Sequence, residues 1–571
     1  MAGVERNGVE RPAGSHADPD SGDGDRRDEG REDRGGFSPP PKRQAVASMV
    51  CVVLAMFLGA LSQTVVATTM PLIIADLGGF DRYTWAATSY LVAATLAYPI
   101  VGRLSDIHGR RRFLLVGTAV FSAGSILLGF SESMTQVVAY RAVQGAGGGT
   151  IMTCCYVSVA DLFRPEERGR FHGILSAVYG MSFIAGPMLG GLLADALSWK
   201  WAFLIIGFAG IPVLVLTARV FPKPGGPAVD RDFDPMGMIA LVLAVPPLFV
   251  ALSTGGVQYE WGSPFVIGML LFSLAMTGVF VAVEARAKSP IMPLSLYADR
   301  VVGLSVVILV LASFGLYGTV LFLPLYFQAA FGFSAAQSGA LLTPMLLGMV
   351  LGGVVAGQVL SGVGARYRLQ ALVWSGIMTA GLFLLSTLDA TTGVVRSQLC
   401  IVIAGLGVGG IVATLSIGVQ NHVPFDVVGV ATSALQFFRS VGGMVGLAVL
   451  GVVLATRFSS SLDETVPEAA KAALAGGRLE ELRSDPRALV DADAADRLRT
   501  ELAASGPDGA ALARELQDAL GIALREALDG VFVVASIAAA LSLGFALFFR
   551  GTIRSGPVPG DGNDIGSEPR T

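Results

Sequence analysis

Long apolar runs separated by short polar loops recur along the chain after residue 44. A bilayer core is about 30 Å thick, and a helix of about 20 apolar residues crosses it. Glycine and proline inside such runs are compatible with membrane helices, because neighbouring helices satisfy the backbone groups that they free. The pattern therefore predicts an all-α membrane protein with fourteen spans. These spans are 46–74, 85–104, 113–130, 136–158, 171–194, 202–221, 236–254, 263–283, 301–327, 337–360, 370–388, 397–420, 428–455 and 530–549.

The composition points away from a soluble protein. Of the 571 residues, 53% are apolar and 15% are charged, whereas soluble domains carry about 25% charged residues. The net charge of −4 argues against a nucleic-acid partner, because such proteins carry a basic excess. The four cysteines lie in apolar runs, which indicates small buried side chains and no disulfide framework. Metal-spaced clusters, phosphate loops and serine elbows are missing, so we expect no metal, no cofactor and no enzymatic activity.

Basic residues are concentrated in alternate loops. Residues 110–112 and 164–170 are examples on one side, whereas the short loops of the other side hold only Arg82, Lys200 and Arg396. Loops rich in arginine and lysine stay in the cytoplasm. Both termini are therefore expected in the cytoplasm, in a multi-pass protein of the plasma membrane.

Three polar segments accompany the spans. Segment 1–44 cannot bury enough apolar surface to offset its chain entropy, so we expect a disordered cytoplasmic tail. Segment 551–571 is expected to form a second cytoplasmic tail. Segment 457–528 should lie on the outer side, with helical stretches inside it. It is either a solvated insert without chemistry, or a lid or a docking element.

An internal repeat indicates two related halves. The sequence GRLSDIHGRRR of residues 102–112 aligns with GQVLSGVGARYR of residues 357–368, and Asp106 aligns with Ser361. Duplicated halves are a known transporter design, with the substrate site between them. The predicted domains are a six-helix bundle at 45–222, two extra helices at 223–300, and a second six-helix bundle with the outer insert at 301–550.

Four motifs lie in or beside the first five spans. The first is the loop of residues 102–112, and the second is YRAVQGAGGG, which contains Arg141. The third is GMSFIAGPMLGG of residues 180–191, and the fourth is LSQTVVATTMP of residues 61–71. Together they resemble the major facilitator superfamily, in its fourteen-span drug:proton antiporter branch.

The resemblance implies that the first motif governs conformational switching. Its glycines permit a tight turn and close backbone approach. Asp106 can pair with arginines or cap a helix amino end, and so hold a cytoplasmic gate in one state. The gating residues implied are Gly102, Arg103, Asp106, Gly109, Arg110 and Arg111.

The resemblance implies that the second motif takes part in proton coupling and that the third motif indicates the direction of transport. A guanidinium at the bilayer centre costs about 2.5–3.5 kcal/mol, so Arg141 either faces a polar interior or extends to the outer interface. By resemblance, Arg141 takes part in proton coupling. Gly186 and Gly190 form a face for close helix packing, and Pro187 bends the helix. With Gly191 they resemble an exporter signature, although generic tight packing is an alternative.

The fourth motif departs from the family pattern. It has Ser62 where the family carries an aspartate. A neutral serine cannot carry a proton, so the remaining candidates for proton coupling are Asp106 with Arg141, or Asp161. A cavity without central negative charge should also disfavour obligate cations. We therefore expect neutral or anionic amphiphilic substrates.

Polar residues at mid-span positions are candidates for the substrate cavity, although interhelical hydrogen bonding is an equal alternative for the glutamines. An aromatic stretch is expected to serve packing or an interface belt, with a drug-stacking wall as the alternative; its members are Tyr317, Phe322, Tyr326 and Phe327. Arg439, before paired glycines, also matches the family. The cavity candidates are Ser62, Gln63, Thr64, Tyr90, Gln144, Gln328, Gln436 and Arg439.

These observations predict a multidrug or antibiotic efflux transporter that works as a monomer. It would export small amphiphilic compounds by proton antiport with alternating access, in contact with membrane lipid and with no nucleic acid. One alternative is an exporter or facilitator of an endogenous metabolite or lipid with weak or no proton coupling. Another is a transport-inactive receptor or scaffold.

Overall fold

The computed structural model describes residues 40–78, 82–222, 233–331, 333, 335–362, 366–388, 392–466 and 509–549. The predicted tails, apart from residues 40–44, and the middle of the predicted insert lie outside the described residues. All structural statements below concern the described part of the chain.

Six long helices form the first half. Their ends follow local signals: the Ser133 side chain caps α4 by accepting a hydrogen bond from the Gln136 amide, and Pro165 begins α5. Gly109, with φ of 87°, makes the abrupt turn between α2 and α3. The helices are α1 Lys42–Leu77, α2 Tyr83–His108, α3 Arg110–Gly129, α4 Met134–Leu162, α5 Pro165–Ala196 and α6 Trp199–Val220.

Two extra helices and a second half follow. Pro344 stands at the start of α12 and lacks the backbone donor that would continue a helix from α11, so the tenth predicted span is two helices. The helices are α7 Pro235–Thr254, α8 Pro264–Glu284, α9 Leu294–Ala298, α10 Arg300–Phe331, α11 Ala335–Ala340, α12 Thr343–Gly362, α13 Tyr367–Leu385, α14 Val394–His422, α15 Val428–Thr465 and α16 Gly509–Ala546.

Thirteen spans in the described residues are long and apolar enough to cross a membrane. The remaining predicted span is α4, which has 29 residues. Its many glycines and polar residues lower its mean hydropathy below that of the other spans. It nevertheless packs against α1, α2 and α3, in the middle of the first half. The predicted all-α membrane architecture is therefore confirmed.

The helix packing repeats itself in the two halves. In the first half α4 packs on α2 and α3, and α1 packs on α5 and α6. In the second half α14 packs on α12 and α13, and α10 packs on α15 and α16. Helices α1 to α6 thus correspond in order to α10, α12, α13, α14, α15 and α16. This correspondence confirms the two six-helix halves.

Two symmetry-related seams join the halves. Helix α2 packs on α15, and its counterpart α12 packs on α5. The extra pair is peripheral: α7 packs on α8, α2 and α15, whereas α8 packs chiefly on α7. The two extra helices therefore flank the α2–α15 seam, as linking helices outside the two bundles.

The last two helices extend further than the sequence predicted. The final span was placed at 530–549, but α16 begins at Gly509. Its first turns are helical because Leu516, Leu520 and Leu524 recur at helical spacing and are buried against the extended end of α15. The described ends of the predicted insert therefore form an antiparallel helix pair that continues the membrane helices.

Candidate gate and transport cavity

An ion cluster lies at the end of the bundle where α2 and α4 end and where α5 and α15 begin, called here the basic end. Arg110 forms an ion pair with Asp106 and a second one, of 3.0 Å, with Asp161. The side chains of Arg110 and Asp106 are 8% and 2% exposed, and that of Asp161 is 22% exposed. The buried guanidinium of Arg110 therefore forms ion pairs with two carboxylates at once.

Asp106 also reaches the other half. Its Oδ2 accepts a hydrogen bond of 3.0 Å from the Val430 amide, in the first turn of α15. A carboxylate at a helix amino end is stabilised by the unpaired amides and by the helix dipole. Gly429 makes room for it, because a Cβ there would overlap the carboxylate. Gly102 lies against Ser433 of the same helix.

The other predicted gating residues anchor the loop. Arg103 donates a hydrogen bond of 2.5 Å to Ser289, between α8 and α9. Arg111 donates to the Ala218 carbonyl at the end of α6. The structure thus brings Gly102, Asp106 and Arg110 to the contact between α2 and α15. Arg103 and Arg111 instead bond to the segment between α8 and α9 and to α6, respectively, away from that contact.

A second set of polar contacts across the halves was missed by the sequence analysis. Arg168 of α5 donates hydrogen bonds of 2.8 Å to the Gln420 carbonyl and to Asn421 Oδ1, at the end of α14. It also donates to the Ala160 carbonyl at the end of α4. A cation suits helix carboxyl ends because their last carbonyls lack helical partners. The sequence showed Arg168 only as one of several basic loop residues.

The α5–α12 seam is formed by backbone contact. Gly169 and Gly357 face one another so closely that a Cβ on either would overlap the carbonyl oxygen of the other. Further along, Gly353 lies against Ser176, and Gly180 against Val350. The aligned glycines Gly102 and Gly357 therefore occupy equivalent places, each against a helix of the opposite half.

Arg141 lies in a different layer from the gate. It is 4% exposed, donates a hydrogen bond of 2.7 Å to Gln144 Oε1, and sits 4.3 Å from the centre of the Tyr90 ring. It therefore faces the protein interior. Arg141 and Asp161 are about 30 Å apart along α4, at 1.5 Å per residue. The structure does not bring Asp106 and Arg141 together, because Asp106 pairs with Arg110.

The polar network around Arg141 includes part of the predicted cavity set. Gln144 donates a hydrogen bond of 2.7 Å to Ser125, and Gln63 donates one of 3.4 Å to the Tyr90 hydroxyl. Tyr90 and Gln144 are fully buried. These side chains therefore form a hydrogen-bonded layer inside the first half.

Other predicted cavity residues serve helix packing. Ser62 donates to the Gly59 carbonyl of its own helix and lies beside the Tyr90 hydroxyl, whereas Thr64 donates to the Ser182 carbonyl of α5. Both are buried. Gln328 donates to Ser338 of α11. Interhelical bonding, the alternative left open for the glutamines, thus describes Gln328, and Thr64 is bonded to a neighbouring helix as well.

The exporter-like motif of α5 packs on α1. A Cβ at Gly186 would overlap Thr64, and one at Gly190 would lie 2.5 Å from Thr68 Oγ1. A Cβ at Gly191 would meet nothing within 4 Å. Pro187 is exposed. The close helix face predicted for this motif is present, and only Gly186 and Gly190 form it.

Gln436 and Arg439 lie between the halves. Gln436 is buried beside Tyr156, and Arg439 is half-buried with tyrosines around it. Tyr317 belongs to that group, whereas Phe322 and Phe327 are fully buried in helix packing, as expected.

One carboxylate inside a long helix was also missed. Asp529 lies in α16, just before the span predicted to begin at residue 530, and its Oδ1 is buried. The apolar spacing of Leu516, Leu520 and Leu524 could have revealed it, because that spacing extends the helix towards the amino terminus.

The segment between α9 and α10 ties the extra pair to the second half. Asp299 Oδ2 lies 3.0 Å from His422 Nε2, and its Oδ1 accepts hydrogen bonds from the Val301 and Val302 amides. Burial raises the pKa of Asp299, but the bonds from His422 and the two amides outweigh it and hold that pKa below its ordinary value.

Comparison with known proteins identifies similar chains. The sequence profile of the Major Facilitator Superfamily matches residues 52–447. The chain is 37% identical to "Multidrug transporter protein MdtP" of Bacillus subtilis (strain 168), over 73% of this chain and 76% of that protein. It is 34% identical to "Multidrug resistance protein 3" of the same organism, over 73% and 82%. It is 32% identical to "MFS-type efflux pump LUC4" of Fusarium sp, over 74% and 77%.

Among solved structures, the human organic anion transporter MFSD10 (TETRAN) matches with a TM-score of 0.53. The match covers 88% of this chain and 100% of that one, at 15% sequence identity. At this identity the likeness concerns the fold alone.

Proposed function

The chain belongs to the major facilitator superfamily, and from this premise we propose that it exports small amphiphilic compounds by proton antiport with alternating access. It is a multi-pass membrane transporter and not an enzyme. Relatives named for multidrug transport and efflux support the direction of transport. In this proposal the protein acts as a monomer in the plasma membrane, with the basic end and both termini in the cytoplasm.

The closed basic end is the observation that carries the proposal. Asp106 with Val430, Arg168 with Gln420, and Gly169 with its partner glycine all join the halves there. An exporter that alternates access must close its cytoplasmic side while it releases substrate outward. These contacts between the halves must break before the cytoplasmic side can open to take up substrate. They therefore support a cycle of alternating access.

Proton entry would supply the energy. One charge that moves through 100 mV is worth about 2.3 kcal/mol. The carboxylates of Asp106 and Asp161 share one arginine at the gate, so opening the seam would change the partners of a titratable group. Arg141, buried without a carboxylate in its hydrogen-bonded layer, is the second element proposed for coupling.

The test is efflux of a panel of charged and neutral drugs from a host that lacks its own pumps. We expect lower accumulation of amphiphilic compounds in cells that express the protein, and loss of that difference when a protonophore is added. Cells with the empty vector are the control. Equal accumulation in both strains across the panel would contradict export.

A second candidate is a metabolite exporter or facilitator with weak or no proton coupling. Ser62 favours it, since this buried residue bonds within its own helix and replaces the family's aspartate. Sealed vesicles with an imposed pH gradient separate the two functions. Uptake into everted vesicles that follows the gradient supports antiport, whereas transport that ignores the gradient supports the second candidate.

A further inference from the structure

Arg439 is a cation inside α15 that pairs with no carboxylate among the described residues. It lies about three turns into α15, roughly 16 Å from the start of that helix at 1.5 Å per residue. Its side chain is half-buried, and within the described residues it forms neither an ion pair nor a hydrogen bond. The phenol groups of four tyrosines lie near its guanidinium.

The tyrosines come from both halves of the protein. Tyr98, Tyr156 and Tyr179 belong to α2, α4 and α5 of the first half, and Tyr317 belongs to α10 of the second. Tyr98, Tyr179 and Tyr317 are half-buried like Arg439 itself, and the group lies where helices of both halves meet. Five helices thus direct one guanidinium and four phenols towards the same region.

Helix packing fixes this arrangement. A Cβ at Gly443 would lie 2.6 Å from Cδ2 of Tyr317, so glycine at that position lets the tyrosine lie against α15. Gly442 and Gly446 bring α15 against Val310 and Phe314 of α10 in the same way. The paired glycines after Arg439 therefore place Tyr317 one turn away from the cation.

The local charge balance favours an anion. A charged group removed from water without a partner is strongly destabilised. The carboxylates Asp106 and Asp161 are at the basic end, where Arg110 already holds both. A bound anion would supply the missing counter-charge, and the phenol hydroxyls can donate hydrogen bonds to it. The tyrosine rings offer faces and edges for an aromatic body.

We infer that Arg439 and the surrounding tyrosines bind organic anions with an aromatic body, and that aromatic acids are the preferred class of transported amphiphile. The inference rests on the proposed export function for its transport part. The binding part stands on the position of Arg439 and its tyrosine neighbours alone. The absence of an aspartate at Ser62 led us to expect neutral or anionic substrates, and this inference selects the anionic ones. It also assigns recognition of the substrate's negative charge to Arg439, in the second half.

Equilibrium binding to two related dyes tests the site. The protein is reconstituted in lipid nanodiscs and titrated with fluorescein, an anionic xanthene, and with rhodamine 6G, a cationic one, by fluorescence polarisation. We expect fluorescein to bind more tightly than rhodamine 6G. Arg439→Gln should weaken fluorescein binding about tenfold, the loss of a charge-assisted bond. Arg439→Lys should retain the preference for the anion.

Arg396→Gln is the matched control, because Arg396 is exposed near the start of α14 and lies outside the cavity. It should bind both dyes as the wild type does. If Arg439→Gln fails to elute as a folded particle, Tyr317→Phe takes its place, since it removes one hydroxyl and keeps the ring. Tyr317→Phe should weaken fluorescein binding and leave rhodamine 6G binding unchanged.

Equal affinity of the wild type for both dyes would overturn the inference, as would full fluorescein binding by Arg439→Gln or by the folded Tyr317→Phe substitute. The outcome is separable from the proposed function. Arginine-dependent fluorescein binding without efflux would support the site and contradict export. Efflux of cationic drugs alone would support export and overturn the site.

Discussion

The α2–α15 seam and the α5–α12 seam occupy equivalent places in the two halves but are held by different chemistry. At the α2–α15 seam, Asp106 accepts the Val430 amide while Arg110 neutralises it. At the α5–α12 seam, Gly169 and Gly357 meet backbone to backbone. The sequence repeat already showed this divergence, because Asp106 aligns with Ser361.

The charged α2–α15 seam and the glycine-lined α5–α12 seam are suited to different tasks in a closed gate. Hydrogen bonds to a carboxylate depend on its charge and partners, so the α2–α15 seam can respond to protonation or to a shift of Arg110. A glycine contact depends only on shape, since close packing leaves no room for added atoms. We therefore expect the α2–α15 seam to control switching and the α5–α12 seam to set how closely the halves approach.

The largest effect is expected from Gly169→Ala. The added methyl group would overlap the Gly357 carbonyl, and a backbone atom cannot move aside as a flexible side chain can. Overpacking costs about 1–3 kcal/mol, which lowers the closed population by about five- to a hundredfold. Transport should fall accordingly. A cysteine introduced by Ser176→Cys at the same seam should also become reactive towards a maleimide.

The labelling is specific because the four native cysteines are buried. Gly376→Ala is the matched control, since a Cβ there would meet nothing within 4 Å. It should keep both the transport rate and the protection of the reporter. A Gly169→Ala protein with a protected reporter and normal transport would show that the glycine contact does not limit closure.

A smaller effect, confined to switching, is expected from Asp106→Asn. The amide can still accept the Val430 hydrogen bond, and Arg110 keeps Asp161, so the protein should fold and insert. Because the amide keeps that hydrogen bond, only part of the charge-assisted pairing, worth about 1.5–3 kcal/mol in full, is lost, and transport should fall by less than about tenfold at equal protein level. Efflux with quantified membrane expression is the measurement. Wild-type rates in this variant would remove the gating role of Asp106.

The helical frame and half of the gate could be predicted from local sequence. Apolar runs of sufficient length nearly define membrane helices, and the GRLSDIHGRRR loop places Asp106 and Arg110 on either side of the tight turn at Gly109. The partners of the gate could not be predicted. Val430 and the Gln420 carbonyl lie in the other half of the chain, and their contacts depend on how the halves pack.

The cavity shows the same limit more strongly. Arg439 is a predicted cavity residue because it is a polar group at a mid-span position and stands before paired glycines, as in the family pattern. Its four tyrosine neighbours lie on four separate helices, so no sequence spacing groups them. Ser62 and Thr64 were predicted on the same grounds as Arg439, but helix packing accounts for their burial. Local sequence identifies a polar residue in a span without saying which neighbour it faces.

The packing within each half allows a finer comparison. Gly186 of α5 lies against α1, and Gly446 of the equivalent helix α15 lies against α10. We expect Gly186→Ala and Gly446→Ala each to destabilise the protein by about 1–3 kcal/mol, since the added methyl meets a neighbouring helix. Gly191→Ala, in the same motif as Gly186, should be neutral because its Cβ has open space. Thermal unfolding of the purified proteins in one detergent measures all three, and equal losses would show that the motif acts through something other than packing.

The smallest effect concerns the segment that joins the extra helices to the second half. Because the pKa of Asp299 is depressed in the folded protein, its contribution to stability is present above its unfolded pKa of about 3.9 and is lost as the pH falls through the lower folded value. Asp299→Asn should therefore lower the melting temperature at pH 7 and have less effect near pH 3, with a loss of at most about 1 kcal/mol for a partly exposed pair. Asp426→Asn, at an exposed residue near the start of α15, is the control and should melt as the wild type does at both pH values. A loss from Asp299→Asn as large as that from Gly186→Ala would mean that the contact of the linking segment with α14 stabilises the protein as much as close helix packing does.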